Sequence, residues 1–324
     1  MNEFALIERH FRRAPRDPAV RIGIGDDGAV VTPSPGMELV LSVDMLVEGR
    51  HFFAGTDPSR LGHKTLAVNL SDLAAMGATP RFALLAGALP DADDAWLAAF
   101  MTGFRALALQ FGVELVGGDT PRGPRNLGVT VVGEVPPGAA LSRAGARAGD
   151  DLYVSGTLGD AALALAVIEG RTTLDDGAFA IARERLEKPQ PRVALGLQLR
   201  GIASAALDVS DGLTGDLGHI LERSEVGAVV ELAAIPCSPA LAAKLAGAER
   251  APALSWLLAG GDDYELCFSA PVGQRDRIAA IGSALALPLA RIGAITTDRG
   301  RLVVRDARGV PLPEVPRAFD HFAA

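Results

Sequence analysis

The chain has 324 residues, 49% hydrophobic and 22% charged, with a formal net charge of -8. That length exceeds what one hydrophobic core usually serves, so two domains are expected, and the composition is globular rather than disordered. The negative charge and an aromatic content of 5% argue against a nucleic-acid partner, and no apolar stretch is long enough to span a bilayer. Cys237 and Cys267 lie in apolar surroundings without metal-ligand spacing, and MNEFALIERHFRR has no apolar signal core, so a reducing, cytoplasmic setting is expected.

In chain order, GIGDDGAVV (23–31) sets Asp26 and Asp27 side by side between glycines, ahead of a strand-like stretch. Two like charges about 4 Å apart repel by roughly 4 kcal/mol at an effective dielectric near 20, which asks for a cation. ELVLSV (38–43) and RFALLAGAL (81–89) read as buried strands, and HKTLAVNLSDLAAMGA (63–78) as a helix with Leu66, Leu70 and Leu73 at helical spacing. DADDAWLAAFMTGFRALALQFG opens on acidic residues and stops at Gly112, as a helix does. VELVGG (113–118) and NLGVTVVGEV (126–135) complete an α+β sheet with helices expected on one face.

Pro136, Pro137 and the Gly/Ala/Arg-rich run to Asp150 mark a boundary, giving an N-terminal domain over 1–138 and a second, mixed α/β domain over 139–324. DLYVSG (151–156) reads as a strand entering a helix at LGDAALALAVIEG, and the prolines of KPQPR (188–192) separate two further helices. AALDVSDGL (205–213) is a strand emptying into a loop and helix; GAVVEL, YELCFSA and LARIGAITT are later strands. No tandem repeat or low-complexity tract interrupts the series.

The acidic residues beside glycine at strand ends carry the chemistry. Asp44 ends LVLSVD, Asp119 ends ELVGGD, Asp208 and Asp211 lie in LDVSDG, and Asp262 and Asp263 follow two glycines in GGDDYEL. Asp72 sits in a helix three residues after Asn69, on the same face. Taken singly, each is ordinary turn or cap chemistry, with Ser210 or Asp211 as caps of the following helix. Together, at ends of apolar strands where ligand sites collect, they point to a common site. With only three lysines in the chain, converging carboxylates would need Mg²⁺, which shares phosphates with one or two carboxylates. A P-loop, H-E-x-x-H, C-x-x-C and G-x-S-x-G are all absent, which removes the corresponding NTPase, zinc and hydrolase readings. GTLGD (156–160) could hold a phosphate at a helix N-terminus, although a plain strand-to-helix turn is the simpler reading.

In this order GIGDDGAVV, LSVDMLVEGRHF, HKTLAVNLSDLAAMGATP, GGDTPRG, DVSDGL and GGDDYELCF resemble the thiamine-monophosphate kinase family, within the aminoimidazole-ribotide synthetase superfamily. The resemblance implies a homodimer whose N-terminal domains pair into a barrel-like sheet and bind ATP, with a C-terminal domain completing the active site. It implies Mg²⁺ ligands at Asp27, Asp44, Asp72, Asp119 and Asp208, with Ser42 and the Val43 backbone assisting and Asp211 at a further ion. Gly118, Asp119, Arg143 and Ser210 match ATP contacts, and His51, Asp262 and Phe319, in AFDHF, match positions facing thiamine monophosphate. The family more often has Glu where Asp262 stands, a reach longer by one methylene. The implied reaction is ATP-dependent phosphorylation of thiamine monophosphate by direct in-line transfer with several Mg²⁺ ions and no acid or base residue, a monovalent cation being left open. The alternatives are another ATP-using member, such as aminoimidazole-ribotide synthetase, or a non-catalytic divalent-cation-binding protein.

Overall fold

The computed structural model describes residues 3–316 and 318, and the chain divides into two compact units: Met1–Leu73 with Ala78–Ala140, and Ala74–Gly77 with Leu141–Ala324. The first unit runs α1 (Glu3–Leu6), β1 (Val20–Ile22), β2 (Val30–Val31), β3 (Glu38–Val47), α2 (Pro58–Ala75), β4 (Thr79–Ala88), α3 (Asp94–Phe111), β5 (Glu114–Asp119) and β6 (Asn126–Val135). β1 and β2 form a two-stranded ribbon, and the other four strands form a sheet in the order β3–β6–β4–β5. β3 and β6 pair antiparallel from Glu38 opposite Val135 to Val47 opposite Asn126, while β5 lies parallel to β4. Among the described residues this sheet is open, with β3 and β5 as its edges, so no barrel closes within one chain.

Local chemistry accounts for the helix boundaries. α2 begins at Pro58 rather than at 63, because Pro suits the first helical position and the Asp57 carboxylate caps the start, accepting the Arg60 N–H at 2.9 Å. α3 is capped by Asp93, which accepts from Ala95 N and Trp96 N, and it stops at Gly112 at φ 66°. From Leu61 to Ser71 every residue of α2 is buried. Its polar side chains therefore bond inward: Thr65 Oγ1 donates to Leu61 O at 2.8 Å and Asn69 Nδ2 to Thr65 O at 3.0 Å. α2 and α3 touch backbone to backbone at Gly62 and Gly103, where a Cβ would lie 1.9 Å from Phe100 O and 1.8 Å from Ser59 O respectively.

The second unit runs β7 (Asp151–Ser155), α4 (Asp160–Ile168), α5 (Asp176–Glu187), α6 (Val193–Leu199), β8 (Ala205–Val209), α7 (Leu213–Ser224), β9 (Gly227–Glu231), α8 (Pro239–Ala246), α9 (Arg250–Ala259), β10 (Glu265–Ala270), α10 (Arg275–Leu285), β11 (Leu289–Thr296) and β12 (Leu302–Arg305). Its sheet has the order β12–β9–β11–β7–β10–β8. Every residue of β7, β8 and β10 is buried, so the sheet is covered on both faces there, which is why these strands read as apolar runs instead of alternating. Leu152, Val154, Leu207 and Val209 meet Leu217, Ile220 and Leu257 in the core. Each such side chain contributes about 1.5–3 kcal/mol by leaving water.

Asp151 starts β7 with its carboxylate buried beneath two arginines. Arg275 donates to it at 2.6 and 2.8 Å and Arg291 at 3.2 Å. The Arg275 hydrogen bonds hold this carboxyl below the usual carboxylate range against the opposing effect of burial, and Arg291 adds to the pull. A depressed carboxylate stabilises the fold above its unfolded pKa and loses that contribution as the pH falls through the folded value. Asp151→Asn is therefore expected to unfold more easily than the wild type by about 1–3 kcal/mol at pH 7, the gap closing below about pH 4. Thermal unfolding at both pH values checks it; a gap of constant size would reject the ion pair as its source. No helix among the described residues is long and apolar enough to cross a membrane.

Candidate functional site

In the first unit, alternation along β3 sorts the side chains. Leu39, Leu41, Val43 and Met45 are exposed, while Val40 and Leu46 are buried and Ser42 and Asp44 half-buried on the other face. Ser42 Oγ donates to Asp72 Oδ2, and Asn69 Oδ1 accepts the Asp44 N–H at 2.8 Å. α2 thus reaches β3 with the two polar residues that its helical spacing puts on one face, and Ser42, Asp44, Asn69 and Asp72 come together.

Asp119 ends the far edge strand. Across the sheet Asp44 opposes Val129, Val129 opposes Leu85, and Leu85 opposes Gly118. Asp119 is therefore one residue beyond Asp44's row and three strands away, about 14 Å. Gly118 is required there, since at φ 153° a Cβ would lie 1.8 Å from Leu85 O. Asp119 is exposed, and its Oδ1 accepts the Thr120 N–H at 2.9 Å. Asp26 and Asp27 are also exposed, and Asp26 Oδ1 accepts the Asp27 N–H at 3.0 Å, so turn chemistry does operate at this pair. His51 follows β3 in a tight turn: its Nδ1 accepts the Val47 N–H at 3.0 Å and its own N–H donates to Val47 O at 2.9 Å. That bond places the neutral ring's proton on Nε2.

In the second unit the motifs LDVSDG and GGDDYEL become neighbours. β10 pairs with β8, Leu266 opposite Asp208. Beyond the ends of the two strands the Asp262 N–H donates to Ser210 O and the Tyr264 N–H to Val209 O, both at 2.8 Å, and Tyr264 Oη donates to Asp262 Oδ1 at 3.2 Å. Asp208, Ser210, Asp211 and Asp262 are thereby gathered at one end of the sheet. Neither Ser210 nor Asp211 caps α7; Gly212 is the cap residue and has no side chain to do so. Asp216, one turn into α7, supplies the acceptor instead, its Oδ2 taking the N–H groups of Ser210, Asp211 and Gly212 at 3.0 Å each. Burial pushes the Asp216 carboxyl up to about 7 against the pull of those three donors. Sequence reasoning missed Asp216, although an acid in the first turn after DGL is a recognisable capping signal. Arg143 is exposed, its carbonyl accepting from Ser224 Oγ at 3.0 Å, and Phe319 lies outside the described residues.

Among the described residues, no three or more His, Cys, Asp or Glu side chains are grouped so that they could hold a metal ion by themselves. Ser42 and Asp44 lie inside β3, which runs on to Val47 instead of ending at Asp44. The donors in each unit are hard oxygens, from carboxylates and hydroxyls, and this chemistry fits Mg²⁺ completed by water and phosphate rather than zinc. At GTLGD the Gly159 N–H is already taken by the chain's own Asp263, whose two oxygens accept it at 2.9 and 3.0 Å. A groove of about 470 Å³ bordered by Phe104, Arg105, Val113 and Val116 lies at the end of β5 away from Asp119, and none of the site residues lines it.

The fold and the two carboxylate sets define a class. The family model for the N-terminal domain of AIR synthase related proteins matches residues 25–135 and that for the C-terminal domain matches 147–305. Within that class, the thiamine-monophosphate kinase of Escherichia coli (strain K12) is 43% identical over 324 residues, 99% of this chain and 98% of its own. The crystal structure of thiamine-monophosphate kinase from Stenotrophomonas maltophilia K279a matches with a TM-score of 0.86 at 47% identity, over 96% of this chain and 98% of that one. AaThiL complexed with AMPPCP and TMP matches with a TM-score of 0.77 at 29% identity, over 92% of each chain. The chain belongs to the thiamine-monophosphate kinase family.

Proposed function

We propose that this chain transfers the γ-phosphoryl group of ATP to the phosphate of thiamine monophosphate, giving thiamine diphosphate and ADP. The observation that carries the reading is the Asp262–Ser210 contact, which joins a residue matched to the thiamine substrate and one matched to ATP from motifs some fifty positions apart. The relative AaThiL, solved with AMPPCP and TMP, supports the same pair of ligands. In this reading Asp27, Ser42, the Val43 carbonyl, Asp44, Asp72, Asp119, Asp208 and Asp211 hold Mg²⁺. Gly118, Asp119, Arg143 and Ser210 contact ATP, and His51, Asp262 and Phe319 face thiamine monophosphate. When bound, Mg²⁺ neutralises charge on the phosphates.

The attacking oxygen belongs to a phosphate already ionised near neutral pH, so the protein has to align two anions rather than generate a nucleophile. The cysteines agree with this, since burial pushes the thiols of both Cys237 and Cys267 up. Ser210 and Asp211 are fixed through Asp216, and Asp44 through Asn69, so donors and acceptors are set before substrate arrives. Direct in-line transfer predicts inversion at a chiral γ-phosphate, and net retention would reject it. The decisive assay supplies ATP, Mg²⁺ and thiamine monophosphate and follows ADP and thiamine diphosphate. Equal amounts of the two are expected, with no ADP when an aminoimidazole-ribotide precursor replaces the thiamine substrate; the opposite preference would overturn the proposal.

The second copy of the chain is part of this reading, as is a cytoplasmic setting. Leu39, Leu41, Val43 and Met45 are 44%, 65%, 63% and 54% exposed, a continuous apolar stripe along an edge strand of an open sheet. Such a stripe is costly in water and supports pairing of two sheets into a barrel-like interface. Leu41→Lys is expected to turn a dimer into a monomer in sedimentation velocity at micromolar concentration. A wild type that sediments as a monomer would remove the dimer from the proposal.

A further inference from the structure

The loop Gly260–Tyr264 is held in a shape that its residues disfavour. Asp262 and Tyr264 have φ of 70° and 52°, in the left-handed region where a bulky side chain such as Tyr is an outlier. Conformations of this kind persist only where the surroundings over-determine them. Here the alternate residues do so from below. Asp263 is 2% exposed and both of its carboxylate oxygens accept the Gly159 N–H at the start of α4. Glu265 is fully buried and accepts from Ser155 Oγ at 2.5 Å, Arg185 Nη2 at 2.5 Å, and Arg192 Nε and Nη2 at 2.6 and 2.5 Å. Gly156 leaves room for that carboxylate, since a Cβ there would lie 2.2 Å from Glu265 Oε1.

Of these partners Gly156 and Gly159 come from GTLGD and Arg192 from KPQPR, two motifs to which the proposed reaction gives no task, while Ser155 ends β7 and Arg185 lies in α5. An isolated buried carboxylate or guanidinium is strongly disfavoured, so each member of the set holds the others in place. Asp263 and Glu265 point into this network while the residues between and before them, Tyr264 and Asp262, bond to Val209 and Ser210.

We propose that Asp263, Glu265, Arg185 and Arg192 are positioning residues that clamp the loop so that Asp262 meets thiamine monophosphate in a preset orientation. The inference rests on the reading of Asp262 as a substrate contact. Its test is calorimetric titration of the full chain with thiamine monophosphate, together with KM for each substrate, for Glu265→Gln, Asp262→Ala and the double variant. Glu265→Gln is expected to weaken thiamine monophosphate binding by about 10–100-fold while KM for ATP stays within about twofold, and to add nothing in the Asp262→Ala background. Wild-type affinity in Glu265→Gln, or effects that multiply in the double variant, would overturn the clamp. If Asp262→Ala binds like the wild type, the reading of Asp262 fails first and the clamp falls with it. Should Glu265→Gln not fold, Arg192→Lys, which keeps the charge but loses the paired nitrogens, takes its place in the same cycle with the same expectations.

Discussion

Asp44→Asn is expected to lower kcat by about 10²–10⁴-fold with little change in melting temperature. The backbone of Asp44 is held by the fold, its N–H bonded to Asn69 and the residue paired with Val129 in the sheet, and Asn keeps the shape of the side chain. Changing the carboxylate to an amide leaves both intact. It also removes a negative charge from beside Asp72, which eases repulsion in the absence of ligand. The loss therefore falls on the charged state that forms when phosphates and Mg²⁺ are present. Steady-state kinetics at saturating Mg²⁺ checks this, with Asp26→Asn as the comparison. Asp26 is exposed and its side chain serves the next residue's N–H, so that variant is expected to keep kcat within about threefold, as a surface turn position does. Near-normal turnover in Asp44→Asn would count decisively against metal binding there.

Gly103→Ala acts on the fold instead. Its Cβ would lie 1.8 Å from Ser59 O and 2.7 Å from Ser59 C, both backbone atoms that no rotamer change can move. α2 and α3 would have to separate, opening a seam between buried residues such as Leu66, Phe100 and Phe104. Overpacking usually costs about 1–3 kcal/mol, and a backbone-to-backbone clash at a helix crossing belongs at or above the top of that range. Because α2 carries Asn69 and Asp72, the site would be displaced with the helix. Urea unfolding is expected to show a midpoint lowered by 1 M or more, taking a typical m-value near 2 kcal/mol/M. A midpoint unchanged from the wild type would mean that the helices do not meet at Gly103.

Much of the secondary structure was legible because its signals are local. The ten-residue, valine-rich stretch 126–135 was legible as a strand from its local composition, and α3 needed only an acidic cap, an apolar period and a glycine stop. Most of the candidate carboxylates were legible for the same reason, as acids in short motifs beside glycine or along apolar strands. What sequence alone left open was which of them meet. Asp44 and Asp119 each end a strand reading, yet sheet order sets them three strands apart, whereas Asp262 and Ser210, distant along the chain, share a hydrogen bond. Asp263 lies beside Asp262 and has the same composition around it, but the structure buries Asp263 and leaves Asp262 partly exposed. Period and capping act over a few residues and are written in the sequence; strand order, register and the burial of charge depend on the whole chain closing on itself, and those decided the site.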